Sequence, residues 1–459
     1  MSGSPGFGSP ATIHPVRPFP IAPRTNGLAA ACLGLLLVLT ACSGGDSGAS
    51  STKIIRLAVD LPLTGAAGRA GTTTLNGVRF FVQRHPTLDG FSIALDVRDD
   101  ASGAKRDTSR AVQNLRGFIA DPKVLAMIGP LVPDVARAQI PIANGAHLAL
   151  VSPATSSRCL TKEPFLPTAL NPLRTLISCK AAGLPSPAEL RPTGPNNYFR
   201  LAATDDLQGP AAADYARKQL HLMRVAVLSD REAYGQALAY GFTSRFNTLG
   251  GTVVARQELD PSMSAELTAF MERAKNGGAQ GVYFGGTALN HGCAASREMA
   301  KVFQTVNTPP FLGGDGIALD PTCVRDAGAN AMGVYATVPT VDAREIESAR
   351  PTLLAFKAQY SDPGDFGPYT IAAYDATGLV YDALHRAIKS GQGFMPARDS
   401  VVRELAATTA FRGVTGTLGF DPEGDSTLRL LSIFKPAGAD PRDAWSWVNT
   451  VDYSAALPY

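Results

Sequence analysis

Thiols carry the most reactive potential in this chain, and six occur among its 459 residues. Cys32 lies inside an apolar run from Leu28 to Leu39, and Cys42 stands just beyond that run. The other four, Cys159, Cys179, Cys293 and Cys323, form an even set. Outside the cytoplasm an even set points to two disulfides, and three pairings are open. The local choice, Cys159 with Cys179 and Cys293 with Cys323, closes short loops and contributes about 3 kcal/mol each in the chain-entropy picture. The competing chemistry is a metal site on His291-Gly292-Cys293 with Cys323, but no Cys-x-x-Cys or His-rich spacing completes four ligands. His85, His147, His221, His291 and His385 are dispersed. Catalytic patterns are missing as well: there is no Gly-x-Ser-x-Gly elbow, no Gly-x-x-x-x-Gly-Lys-[Ser/Thr] loop and no His-Glu-x-x-His. Gly65, Gly68 and Gly71 only loosely match a dinucleotide loop, because a helix and its acidic partner are not placed to support one. The expectation is a protein that binds without covalent chemistry and without a metal or cofactor.

The N-terminal stretch says where that binding takes place. Residues 1–26 are polar and Pro-rich and carry Arg17 and Arg24. The apolar run after them is too short to span a bilayer comfortably and reads as the core of a signal peptide. Leu39-Thr40-Ala41-Cys42, followed by Ser43-Gly44-Gly45, resembles the lipobox of bacterial lipoproteins. That resemblance implies removal of residues 1–41, diacylation of Cys42, and a tether over residues 42–52. Each acyl chain contributes ~0.8 kcal/mol per buried methylene, so two anchor a domain stably to the extracytoplasmic face of the cell membrane. Arg17 and Arg24 leave with the signal, and of 42 basic and 39 acidic residues the mature chain keeps a nearly neutral balance. It has no run of Lys and Arg, so nucleic acid is excluded as a partner.

Length and a hydrophobic content of 45% suit two domains. Ile55, Leu57 and Val59 alternate like a strand, and Leu75, Val78 and Val82 then share a helical face. Helices are expected over residues 107–119 and 134–144, and strands over 124–128 and 148–151. A second series follows: strands over 224–229, 252–257 and 281–285, helices over 235–249 and 265–276, and a long helix over 370–389. Phe420-Asp421-Pro422-Glu423-Gly424-Asp425 reads as a hairpin turn. Repetition of strand, helix and strand implies parallel sheets covered by helices on both faces. Residues 158–197 break the rhythm with seven prolines and read as a surface insertion stapled by Cys159 and Cys179.

Several segments, taken in order, resemble the leucine/isoleucine/valine-binding family of type I periplasmic solute-binding proteins of ABC importers. They include Ile55-Arg56-Leu57-Ala58-Val59-Asp60-Leu61-Pro62-Leu63-Thr64-Gly65, Leu75-Asn76-Gly77-Val78, Ile128-Gly129-Pro130-Leu131 and Pro141-Ile142-Ala143-Asn144. Val151-Ser152-Pro153-Ala154-Thr155-Ser156, Tyr198-Phe199-Arg200, Tyr234-Gly235, Phe311-Leu312-Gly313-Gly314-Asp315-Gly316 and Phe411-Arg412-Gly413-Val414-Thr415-Gly416 continue the series. The resemblance implies two doubly wound α/β lobes joined by three crossovers, near Thr204, Thr337 and Gly416, with a ligand held between them. Lobe I would comprise residues 53–204 and 338–416, including the insertion 158–197, and lobe II residues 205–337 and 417–459.

The resemblance also supplies a site. Asp315 aligns with the acidic residue that pairs with the ligand's amino group, and Ala154, Thr155 and Ser156 with the turn that holds its carboxylate. Tyr234 matches a tyrosine bordering the ligand. Asp134, after Val132-Pro133, stands where hydroxyl residues are expected, and Ala70, after Arg69, replaces an aromatic. Residues 287–290 likewise replace an aromatic pair, which favours a different or bulkier ligand. Plainer readings accompany each: a hydroxyl-capped loop for Ser152 to Ser156, a Gly-Asp turn for Asp315, a helix N-terminal residue for Asp134 and packing for Tyr234. The expected function is capture of an amino-acid-like or amide-like small molecule for delivery to ABC permease subunits. The alternative is a ligand sensor that signals to a membrane partner.

Overall fold

The computed structural model describes residues 53–102, 105–163, 178–260, 262–304, 309–318, 321–438, 440 and 445–458, which all fall in the unit Thr52–Tyr459. The expected signal peptide, Cys42, the tether and residues 164–177 of the insertion lie outside the described residues.

The strand Ile54–Leu61 is buried along most of its length because it lies inside a six-stranded sheet, between Phe91–Asp99 and Val124–Ile128. Ala149–Ser152 and Tyr198–Arg200 extend that sheet in parallel, and the short strand Thr87–Leu88 closes its other edge antiparallel. Successive residues of Ile54–Leu61 serve opposite faces. Ile55, Leu57 and Val59 meet Leu75 and Val78 of the helix Gly68–Arg84 and Leu379 and Leu384 of Thr370–Ser390. Ala58 joins Met127 and Leu150 against Leu115 and Phe118 of Thr108–Ala120 and Ile140 of Pro133–Gly145. Gly77 lets the two helices of the first face touch: a Cβ there would stand 1.9 Å from the carbonyl oxygen of Thr370.

The second sheet has seven strands in the order Thr252–Glu258, Arg224–Ser229, Val282–Gly285, Phe311–Gly313, Val334–Val338, Leu430–Pro436 and Trp445–Asp452. The first five are parallel and the last two antiparallel, so both sheets are mixed and mostly parallel. The apolar patterns that announced the strands near 55–59, 124–128, 148–151, 224–229, 252–257 and 281–285 gave no sign of Phe91–Asp99, of the short Phe311–Gly313, of Val334–Val338 or of the antiparallel pair. Disulfides join Cys159 to Cys179 and Cys293 to Cys323, over 20 and 30 residues. The Cys293 and Cys323 thiols are thereby removed from metal ligation, and among the described residues no group could hold a metal ion.

The chain passes between the sheets more than once. After Tyr198–Arg200 it enters the helix Gln208–Lys218, which packs on the second sheet, and after Val334–Val338 it returns to place Thr370–Ser390 against the first. The crossings lie side by side: the Ala203 amide donates to Pro339 at 2.9 Å and the Ser432 amide to Thr340 at 3.1 Å. Leu418 and Phe420 still pack in the first core. Beyond them Arg200, wholly buried, donates its Nε to Asp425 at 2.7 Å, with Nη1 on the Ser157 carbonyl at 2.6 Å and Nη2 on Thr161 at 2.5 Å.

Candidate functional site

Parallel α/β sheets place their crevices at the C-terminal ends of strands, where chain segments diverge. Asp315 occupies such a position, two residues beyond Phe311–Gly313 in the middle of the second sheet. Its Oδ1 accepts the Tyr234 phenol at 2.5 Å and the Gln208 amide at 2.9 Å, while its backbone N–H donates to Gln208 Oε1 at 3.0 Å. The Tyr234 oxygen in turn accepts the Gly316 amide at 3.0 Å. Gly314 has to be bare, since a Cβ would lie 2.3 Å from Leu238 and 2.7 Å from the Tyr234 oxygen. Tyr234 itself stands at the start of the helix Ala233–Thr248.

Gln208 also donates to Oδ1 of Asp205 at 3.1 Å, so one amide joins two carboxylates. Asp205 is nearly inaccessible, and its backbone amide donates to the Ser156 carbonyl at 2.8 Å. Burial, then the nearby charge of Asp315, pushes Asp205 up to about 7. Burial likewise raises Asp315, although Tyr234 and Gln208 oppose the shift. Arg200 attracts Asp205 through space, but its own guanidinium is bonded to Asp425. Among the described residues neither Asp205 nor Asp315 forms an ion pair with a basic side chain. Tyr369 faces the same pair and packs against the cores of both sheets, with its phenol pushed up by burial and then by the charges of Asp315 and Asp205. The arrangement is a pair of carboxylates beside the phenols of Tyr234 and Tyr369, suited to a ligand that brings a positive or donor group.

A match to the family described as periplasmic binding protein runs over residues 54–435. The chain belongs to the periplasmic binding protein family. Its members are transporter binding proteins, not enzymes. A Leu/Ile/Val-binding protein homolog of Brucella melitensis is 25% identical over 384 residues, covering 83% of this chain and 91% of that one. The leucine-, isoleucine-, valine-, threonine- and alanine-binding protein of Pseudomonas aeruginosa is 27% identical over 52% of this chain and 59% of its own. In three dimensions the chain is similar to the leucine-binding protein of Thermotoga maritima, with a TM-score of 0.63 and 23% identity over 87% of this chain and 99% of that one. A solute-binding protein of Rhodopseudomonas palustris in complex with 4-hydroxybenzoate scores 0.64 at 15% identity, covering 87% and 97%. The fold is therefore type I, and it is common to chains with chemically different ligands.

The binding protein brings Asp315 and Tyr234 together, with Ser156 joined to them through Asp205. It uses the rest of the expected turn differently. Ser152 Oγ donates to the Pro130 carbonyl at 2.7 Å and accepts both the Thr155 amide, at 3.0 Å, and the Thr155 hydroxyl, at 2.8 Å. The Thr155 hydroxyl also meets the buried Tyr198 phenol, and the Ala154 amide lies 3.3 Å from Ser152 Oγ. Thr155 is turned into the interior beside the first sheet. Asp134 sits exposed in the first turn of Pro133–Gly145, paired with Arg137 and bonded to none of the residues around Asp315. Ala70 lies half-buried against the first core, its carbonyl accepting the hydroxyls of Thr73 and Thr74. Asp205, Gln208 and Tyr369 had no place in the sequence-derived site. The three-residue spacing of Asp205 and Gln208 at a helix start is a local signal that they share a face; nothing local marks Tyr369.

Proposed function

We propose that this binding protein captures an amino-acid-like or amide-like small molecule between two lobes and presents it to the permease of an ABC importer. The observation that carries the reading is the Asp205–Gln208–Asp315 linkage, two carboxylates beside one amide with no basic side chain among the described residues bonded to either acid. A ligand ammonium supplies the missing charge, and closure around it desolvates the contact and holds the lobes together. The names of the Brucella and Pseudomonas relatives support an amino-acid-like ligand. The proposed contacts are Asp315, Asp205, Tyr234, Gln208, Tyr369 and Ser156, with Ala70 and Ala154 leaving room beside them. Asp134 is left out because Arg137 already holds it at the surface.

The proposed lobes keep the crossovers near Thr204 and Thr337. The third is drawn after Asp425 rather than at Gly416, because Phe420 packs in the first core and Asp425 pairs with Arg200. Diacylation of Cys42 holds the protein on the extracytoplasmic face of the membrane. Among the described residues no helix is long and apolar enough to cross it.

Native mass spectrometry of the purified protein, followed by thermal shift against amino acids, amides, polyamines and aromatic acids, tests the reading. A stabilising ligand that carries an ammonium or amide donor, and whose effect disappears in Asp315→Ala, is the expected result. Stabilisation by a leucine-like amino acid that survives Asp315→Ala would overturn the anchor.

A further inference from the structure

The Pro-rich insertion leaves the first sheet after Ala149–Ser152 and returns to it at Tyr198–Arg200, so both of its ends belong to that sheet. Leu160 and Leu190 pack in the core on that sheet, but other described apolar residues of the insertion pack elsewhere. Cys159 and Cys179, joined and wholly buried, cluster with Ala182 and Leu184 against Ala237 and Tyr240. Ala237 and Tyr240 belong to the helix Ala233–Thr248, which packs on the second sheet and presents Tyr234 to Asp315 from its first turn. The base of the insertion is tied down where the chain crosses between sheets. Arg158 is ion-paired with Asp206 at the first crossing. Lys162 lies 2.5 Å from Asp421 and 3.0 Å from Asp425, just ahead of the last one.

From this geometry we infer that the disulfide-stapled insertion is a clasp, fixing the Tyr234 helix to the first lobe and biasing the cleft toward its closed form before a ligand arrives. Opening by rotation at the crossings would pull Ala237 and Tyr240 away from the disulfide and expose both apolar faces to water. The staple matters because it joins Cys159 and Cys179 into one buried block, so less chain entropy is lost each time the contact forms. A shell that is already partly closed binds more tightly in proportion to the closed fraction, and releases its ligand more slowly. Ala237, Tyr240 and the disulfide are thus positioning residues, acting on the site through Tyr234.

The test uses the unliganded protein, so its outcome is independent of what the cleft binds. Solution X-ray scattering and amide hydrogen exchange are compared for the oxidised wild type, Cys159→Ser/Cys179→Ser, and Tyr240→Ala. Both variants are expected to show a larger radius of gyration and about tenfold faster exchange over residues 234–241, with exchange in Ile54–Leu61 unchanged. If the double cysteine variant fails to fold, Tyr240→Ala, which keeps the disulfide, decides alone. A folded Tyr240→Ala with wild-type radius and wild-type exchange in that segment overturns the clasp.

Discussion

The Tyr234 phenol lies 2.5 Å from Oδ1 of Asp315, although 81 positions separate them in the chain. Tyr234 starts a helix and Asp315 ends a strand loop, so the bond exists only when the helix and the second sheet are packed together. Together with the Gln208 amide it holds the Asp315 side chain in one orientation.

Asp315→Asn removes the charge and keeps the shape. For the ammonium-bearing ligand found in the thermal-shift panel, isothermal titration calorimetry should show a loss of about 2–5 kcal/mol in binding free energy. Circular dichroism should be unchanged. Equal affinity in the variant would remove Asp315 from the site.

Stability of the unliganded protein should fall as pH rises from about 4 to about 7. Asp60 is wholly buried and is raised to about 7, first by burial and then by the charge of Asp100; Asp205 is raised to about 7 by burial and by Asp315. In that window the folded chain binds more protons than the unfolded one, so the slope is negative, at most about 1.4 kcal/mol per pH unit for each group. Calorimetric melting between pH 4 and 8 measures it, and Asp60→Asn should flatten it. A melting temperature that climbs over this range, in wild type and variant alike, contradicts the assignment.

Arg200 and Asp425 make a different pH statement. Burial pushes Asp425 up, but Arg200 and Lys162 outweigh it and hold the carboxyl at about 2. The stability this contributes is present above about pH 4 and is lost as pH falls toward 2. Arg200→Met leaves the buried Asp425 carboxylate with Lys162 as its remaining basic partner among the described residues and should lower stability by at most about 3–5 kcal/mol in urea unfolding, with part of the loss recovered by Arg200→Met/Asp425→Leu. An Arg200→Met variant as stable as wild type would mean the pair is not closed in solution.

Cys42→Ala should abolish labelling by a fatty-acid analogue and move the protein from the membrane fraction to the medium. Equal labelling of the variant would place the lipid elsewhere.

Reading the chain alone located the strands Val124–Ile128 and Arg224–Ser229 and the helix Thr370–Ser390 closely, because uninterrupted apolar runs and helical spacing report burial directly. The strand Phe91–Asp99 escaped notice, since most of its residues are half-buried and mix Asp and Arg with the apolar ones. Asp134 and Thr155 show the same limit at the site. Sequence places each beside the cleft segments, but an adjacent arginine takes the first and a tyrosine from the next strand takes the second.

What the sequence determined by itself is local: apolar periodicity, the apolar run before Cys42, and cysteines close enough to pair over 20 and 30 residues. Those features depend on neighbours within a few turns of chain. The tertiary structure alone decided that Asp205 and Asp315 share one amide, that Tyr369 touches both cores, and that the stapled insertion rests on the Tyr234 helix. Such relations depend on where two sheets and their crossings are packed, and a carboxylate's solvation and partners are set by that packing rather than by its neighbours in sequence.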